Sequence, residues 1–206
     1  MGQLQPNLKR EQIITAAAEL VHLRGYNHTS LDEILDAADA GKGQFYHYFA
    51  SKEELGLAIV DRAAARIRAT LLERVERGQG LAAIRWMLRC LTDTAKRTKC
   101  GGGCPLGNLA AEMSDVRETF RRKLAGVFEL WRQVIERALI TAQRRGELRP
   151  GVNARQLSFL ILSTIEGAIL LAKVQHDARV MERCFQGLWL CVEQLQQPEG
   201  GREENG

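Results

Sequence analysis

Val116, Phe120, Leu124, Val127, Trp131, Val134 and Ala138 follow one another at intervals of 4, 4, 3, 4, 3 and 4 residues. An α-helix places such a series along one side, whereas the two-residue period of a strand would scatter it over both faces. An apolar stripe of that length needs other apolar faces to pack against, and the rest of the chain offers them in the same rhythm. Ile13, Ala17, Leu20 and Val21 recur at helical spacing. Leu55, Ile59, Ala63, Ile67 and Leu71 repeat every four residues toward Gly78, and Met181, Phe185, Leu188, Val192 and Leu195 stripe the last apolar segment. With no strand-like alternation and no internal repeat, the chain reads as all-α.

Punctuation divides these helices. Gly25 suits a left-handed stop for the first, and Ser30 with Glu33 forms a capping box ahead of Leu31, Ile34 and Leu35. Asp39-Ala40-Gly41 offers a tight turn, Lys42 to Tyr48 leaves room for about two turns of helix, and Ser51 with Glu54 caps a long fourth helix. Leu81 to Thr98 follows, then the glycine-rich break Cys100 to Cys104, and Pro105 at the first position of a short helix. The long striped helix is expected to start by Val116 and to stop at Gly146 and Pro150. Asn153 with Gln156 caps the next.

That next helix contains the longest apolar run, Leu157 to Ala172. It is 16 residues long and interrupted by Ser158, Ser163, Thr164 and Glu166. It is short and polar for a bilayer span, so a buried helix and no membrane partner are expected. The first twenty residues hold Lys9, Arg10 and Glu11 in place of an apolar leader, which points to the cytoplasm. Five cysteines, an odd number at irregular spacing, read as thiols. The tail 198–206 is Gly- and Glu-rich and is expected to be disordered.

The segment Gly41 to Leu55, GKGQFYHYFASKEEL, mixes side chains for a core with side chains for an external partner. Helix, tight turn and short helix form the layout of a helix-turn-helix, whose second short helix enters the DNA major groove. Phe45 and Phe49, one turn apart, are suited to pack on Leu31, Ile34 and Leu35, while Gln44, Tyr46 and His47 face away. Gln44 has the paired donor and acceptor that match adenine, and Tyr46 and His47 reach phosphate or a base edge. Lys42 and Lys52 suit phosphate, Thr29 and Ser30 open a helix whose N–H groups favour an anion, and Gly43 allows close backbone approach. Bulk charge does not carry this reading. Over residues 1–52, Lys9, Arg10, Arg24, Lys42 and Lys52 stand against Glu11, Glu19, Asp32, Glu33, Asp36 and Asp39.

The stretch TSLDEILDAADAGKGQFYHYFASKEEL resembles the N-terminal signature of the tetracycline-repressor (TetR/AcrR) family of transcriptional regulators, with the match running over residues 10–55. The resemblance implies a DNA-binding domain at 1–52, a ligand-binding and dimerisation domain at 53–197, and a homodimer formed by the last two long helices. It also implies DNA contacts from Lys42, Gln44, Tyr46 and His47, with Thr29, Ser30 and Lys52 on phosphates. The sequence departs from the family in the turn, where Asp39-Ala40 replaces a glycine followed by a bulky aliphatic. A slightly less stable motif is expected there.

The segment GGCPLGNLAAEMSD, residues 102–115, is similar to a subgroup of that family that includes the N-ethylmaleimide-reductase repressor. Some of its members respond to electrophiles or oxidants through a thiol in this region, which directs attention to Cys104. From the residues themselves the stretch Cys100 to Cys104 stays open between a flexible loop with inert thiols, a thiol sensor using Cys100 and Cys104, and a metal site that lacks a second ligand pair. Candidates to line an effector pocket are Trp86, Cys90, Cys104, Asn108, Phe128, Trp131 and Glu166. Glu166 in so apolar a helix points to a dimer interface or a ligand. No cofactor motif is found, and none is expected.

The expectation is therefore a homodimeric transcriptional repressor on a palindromic operator, released by a small molecule or an electrophile. An enzyme using Cys104 as nucleophile and an architectural DNA binder are the alternatives. The first lacks a histidine nearby in sequence, and the second lacks a basic N-terminal domain.

Overall fold

The computed structural model describes residues 5–197, with the side chains of residues 5–7, 67, 70, 71 and 76 outside the description. Ile67 and Leu71 of the expected fourth stripe fall among the latter, and the expected disordered tail lies outside the described residues. The helices are α1 Gln5–Arg24, α2 Leu31–Ala37, α3 Lys42–Tyr48, α4 Lys52–Ile67, a π-turn Arg68–Leu72, α5 Glu73–Glu76, α6 Leu81–Arg97, α7 Pro105–Met113, α8 Glu118–Arg144, α9 Ala154–Gln175 and α10 Ala178–Glu193. Apart from one isolated antiparallel bridge between Leu148 and Gln196, regular structure among the described residues is helical.

The chain forms two compact units. Of the described residues, one gathers those up to Arg66 with Gly101–Phe128, and the other gathers Ile67–Cys100 with those from Glu129. In the first, α1, α2 and α3 close over Ile13, Ala17, Ile34, Leu35, Phe45 and Phe49, all buried. Gly56 of α4 lets the helix approach its neighbours closely. A Cβ there would lie 2.6 Å from the Phe120 ring and 2.8 Å from the Tyr26 ring.

In the second unit, α9 pairs with α10, and α6 packs on both. Arg132 of α8 is buried here. It donates through Nε and Nη2 to the Glu129 carboxylate (2.8 and 2.7 Å) and through Nη1 to Glu136 (2.6 Å) and Ser158 Oγ (3.0 Å).

Two expectations are corrected. Val116 does not begin the long stripe. It is 55% exposed, because the chain leaves α7 through a turn in which Val116 N–H and Arg117 N–H both donate to Met113 O, and the buried series starts at Phe120. Nor is α9 a buried helix. Ile161, Ile165, Ala168 and Ala172 are buried on one side, but Leu160, Leu170, Leu171 and Val174 on the other are 46–70% exposed. By length and composition α9 is the one helix among the described residues that could cross a bilayer.

Candidate nucleic-acid interface

The short helices are held from their ends. Ser30 Oγ accepts from Glu33 N–H (3.2 Å) while Glu33 Oε2 accepts from Ser30 N–H (2.7 Å), so both halves of the expected capping box are present. Asp39 takes the left-handed conformation at φ 47° that the turn needs. Lys9 Nζ pins the turn by donating to the carbonyls of Ala38 (3.1 Å) and Asp39 (2.5 Å). At the start of α3, Gln44 Oε1 accepts from Gly41 N–H at 3.3 Å.

This frame gives α3 two unlike faces. Phe45 and the following Phe49 are 0% and 1% exposed, with ring centroids 5.6 Å apart, and the Arg10 guanidinium lies 5.1 Å over Phe49. Lys42, Gly43, Gln44, Tyr46 and His47 are exposed, Tyr46 by 59%. Beside Gly43 a Cβ would meet nothing within 4 Å. The exposed face carries a cation, an amide, a phenol and an imidazole, the donor and acceptor set that reads base edges and phosphates. Lys42 Nζ rests 3.0 Å from Asp32 Oδ1, an ion pair with both side chains solvated and therefore easily exchanged for phosphate.

The residues flanking α3 differ from one another. Ser30 is exposed at the start of α2, whereas Thr29 is fully buried and its hydroxyl donates to Gly25 O (2.7 Å). A side chain so enclosed braces the turn and does not reach a phosphate. Lys52 is half-buried. Its Nζ donates to Tyr26 O (2.7 Å) and lies 4.3 Å over the Tyr26 ring. Burial pushes its ammonium below the ordinary lysine value, partly offset by the carboxylates of Glu112 and Glu33. Burial likewise pushes the Tyr26 phenol up to about 12, with the Glu53 charge adding to it.

The residues expected to line an effector pocket divide between the two units. Cys104, Asn108 and Phe128, all half-buried, belong to the first, and Trp86, Cys90, Trp131 and Glu166 to the second. Trp131 is buried and donates from Nε1 to Met87 Sδ (3.4 Å), while Trp86 lies under the Arg74 guanidinium at 3.9 Å. An open groove of about 810 Å³ in the second unit runs instead between α6 and α10, with Arg85 stacked 4.1 Å over Trp189 and Lys96 paired to Glu182 at 2.6 Å. Cys100 is buried, and desolvation with the nearby Asp177 charge pushes its thiol up, away from the nucleophilic thiolate. Cys104 caps α7, its Sγ accepting from Gly107 N–H at 3.4 Å. Among the described residues no cluster of three metal-ligating side chains is found.

Sequence reasoning missed Glu112 of α7. Its carboxylate accepts from Tyr26 N–H (2.7 Å) and Asn27 N–H (2.6 Å) in the turn before α2. The only signal was an acid standing in the apolar run Leu109 to Met113.

Residues 13–59 match the family model described as bacterial regulatory proteins, tetR family, and residues 80–188 match the tetracyclin repressor-like C-terminal domain. An uncharacterized HTH-type transcriptional regulator in the lacX 3′ region of Lactococcus lactis subsp. lactis is 35% identical over 85% of this chain and 89% of its own. A TetR transcriptional regulator from Chloroflexus aurantiacus is 32% identical, and its crystal structure superposes with a TM-score of 0.79 over 93% of this chain and 98% of that one. The HTH-type transcriptional repressor NemR of Escherichia coli is 33% identical over 62% of this chain and 67% of its own.

Proposed function

This chain belongs to the TetR family of helix-turn-helix transcriptional regulators, and from that premise we propose that it is a homodimeric repressor of a palindromic operator, released by an effector. Family membership sets aside the cysteine enzyme.

The observation that carries the DNA half of the proposal is the division of α3 into a buried aromatic face and an exposed polar one. Gln44, Tyr46 and His47 read bases and backbone, while Ser30, Lys42 and, at the start of α4, Lys52 meet phosphates. The dimer half is supported by the exposed apolar side of α9, joined by Leu190 of α10 at 62% exposure. Gly167 and Gly187 have open space where a Cβ would stand, so another backbone can come close. Two recognition helices about 34 Å apart would then enter successive major grooves. An effector bound in the C-terminal part would release DNA by favouring a dimer with another separation. Its place of action is the cytoplasm, where the DNA is.

A thiol-responsive version has its own support in the Cys104 cap of α7, since an alkyl group on Sγ would crowd the place where Gly107 N–H donates. The test of the DNA reading is a titration of the full chain with duplex from its own upstream DNA. Gln44→Ala is expected to lose preference for that duplex over a scrambled one, and undiminished preference in that variant would refute the assignment.

A further inference from the structure

Three helices fasten on Tyr26, the second residue after α1. Its N–H and that of Asn27 each take one oxygen of the Glu112 carboxylate on α7, at 2.7 and 2.6 Å. Its carbonyl accepts from Lys52 Nζ at the start of α4, and its ring meets Phe120 of α8 edge-on with centroids 5.1 Å apart. Carboxylate to N–H bonds are charge-assisted and about twice as strong as neutral ones. The approach is close, because a Cβ on the neighbouring Gly25 would lie 3.2 Å from Glu112 Oε2. The same turn ends at Ser30, the cap of α2, and Asp32 of α2 pairs with Lys42 of α3 at 3.0 Å.

The other end of α7 is tied to the same helix. His22, one turn before Tyr26, places Nε2 2.9 Å from Gly103 O, and because a carbonyl only accepts, Nε2 carries the proton. A Cβ on Gly102 would lie 2.4 Å from that imidazole, and Gly102 and Gly103 hold φ of +78° and +75°. The glycine run is shaped to seat the histidine. Asn108 Nδ2 donates to Gly102 O (2.5 Å) and Gly107 N–H to Cys104 Sγ, which makes the loop and the first turn of α7 one piece.

We propose that Glu112 is a positioning residue for DNA reading. With His22 it clamps α7 by both ends to the last turn of α1 and to the turn that presents α2. A displacement of α7 is thereby delivered to the helix-turn-helix, and by thermodynamic reciprocity DNA occupancy is delivered back to the Cys104 loop. The coupling rests on the DNA-binding reading above, while the clamp itself does not.

The experiment uses the full chain, Glu112→Ala, and Glu112→Gln, which keeps the shape and one acceptor oxygen. In the free protein, hydrogen exchange of the Tyr26 and Asn27 amides is expected to quicken about tenfold or more in Glu112→Ala, as loss of a charge-assisted bond requires, and less in Glu112→Gln. Unchanged exchange at both amides in both variants overturns the clamp. The rate of N-ethylmaleimide addition to Cys104, followed by peptide mass, is then measured with and without the upstream duplex. The duplex is expected to slow addition several-fold in the wild type, to have no effect in Glu112→Ala, and to act in between in Glu112→Gln. Equal protection in wild type and Glu112→Ala overturns the coupling. Failure of the wild type to bind any duplex would count against the DNA-binding reading, and amide exchange would still decide the clamp.

Discussion

Helices α3 and α9 both leave a full face uncovered, and the chemistry of the two faces differs. On α3 the uncovered side carries Lys42, Gln44, Tyr46 and His47 around a buried Phe45. On α9 it carries Leu160, Leu170, Leu171 and Val174 behind a buried Ile161 and Ile165. A row of donors and acceptors loses little in water and gains specificity only against a partner that presents matching groups. A row of leucines in water is an unburied driving force, and it points to another apolar surface. On the proposed reading, the same amphipathic principle serves recognition of DNA in one unit and association in the other.

The largest expected effect comes from charging the apolar face. Leu171→Glu with Val174→Glu would force carboxylates into a dimer interface, and sedimentation is expected to show monomers at concentrations where the parent is dimeric, an association weakened about a thousandfold or more. A variant that remains dimeric would place the interface elsewhere. Next in size is the contrast within α3. Phe45→Ala is expected to cost about 3–5 kcal/mol in denaturant unfolding, whereas Tyr46→Ala should stay within about 0.5 kcal/mol and affect DNA affinity alone.

Lys52 sharpens the division between contact and brace. If it neutralises a phosphate, Lys52→Ala lowers the slope of log affinity against log salt by about 0.9. If its bond to Tyr26 O is its whole role, affinity falls with the slope unchanged. The smallest effect concerns Arg132, whose guanidinium lies 5.0 Å from the Phe159 ring at the margin of the α9 face. Arg132 and Gln133 hold the Glu129 carboxyl at about 2, below its ordinary value. The folded value is the lower one, so this stabilisation is complete above the ordinary carboxylate range and is lost as pH falls toward 2. Glu129→Gln is expected to flatten that part of the stability profile in acid unfolding, modestly because the carboxylate is largely solvated.

What was legible in the sequence was local. The Ser30 and Glu33 capping box, the tight turn at Asp39 and the aromatic pair Phe45 and Phe49 depend on residues within a turn or two of one another, and they stand as the pattern implied. Val116 shows where periodicity misleads, because spacing cannot register the turn after Met113 that ends one helix before the next begins. In α9, apolar residues on every side read as burial, yet a single chain covers only one side of the helix. Glu112 was invisible for a different reason. Its partners Tyr26 and Asn27 offer only backbone N–H groups, which any residue has, at a separation no local pattern spans.

The central claim is that the polar face of α3 reads a base sequence. Fluorescence anisotropy of the purified chain on its upstream duplex and on a scrambled duplex, repeated with Gln44→Ala, tests it most directly. The account expects the wild type to favour the upstream duplex by about a thousandfold or more, and Gln44→Ala to narrow that preference by about 1–3 kcal/mol. Equal affinity of the wild type for the two duplexes, or a preference untouched by the substitution, would contradict it.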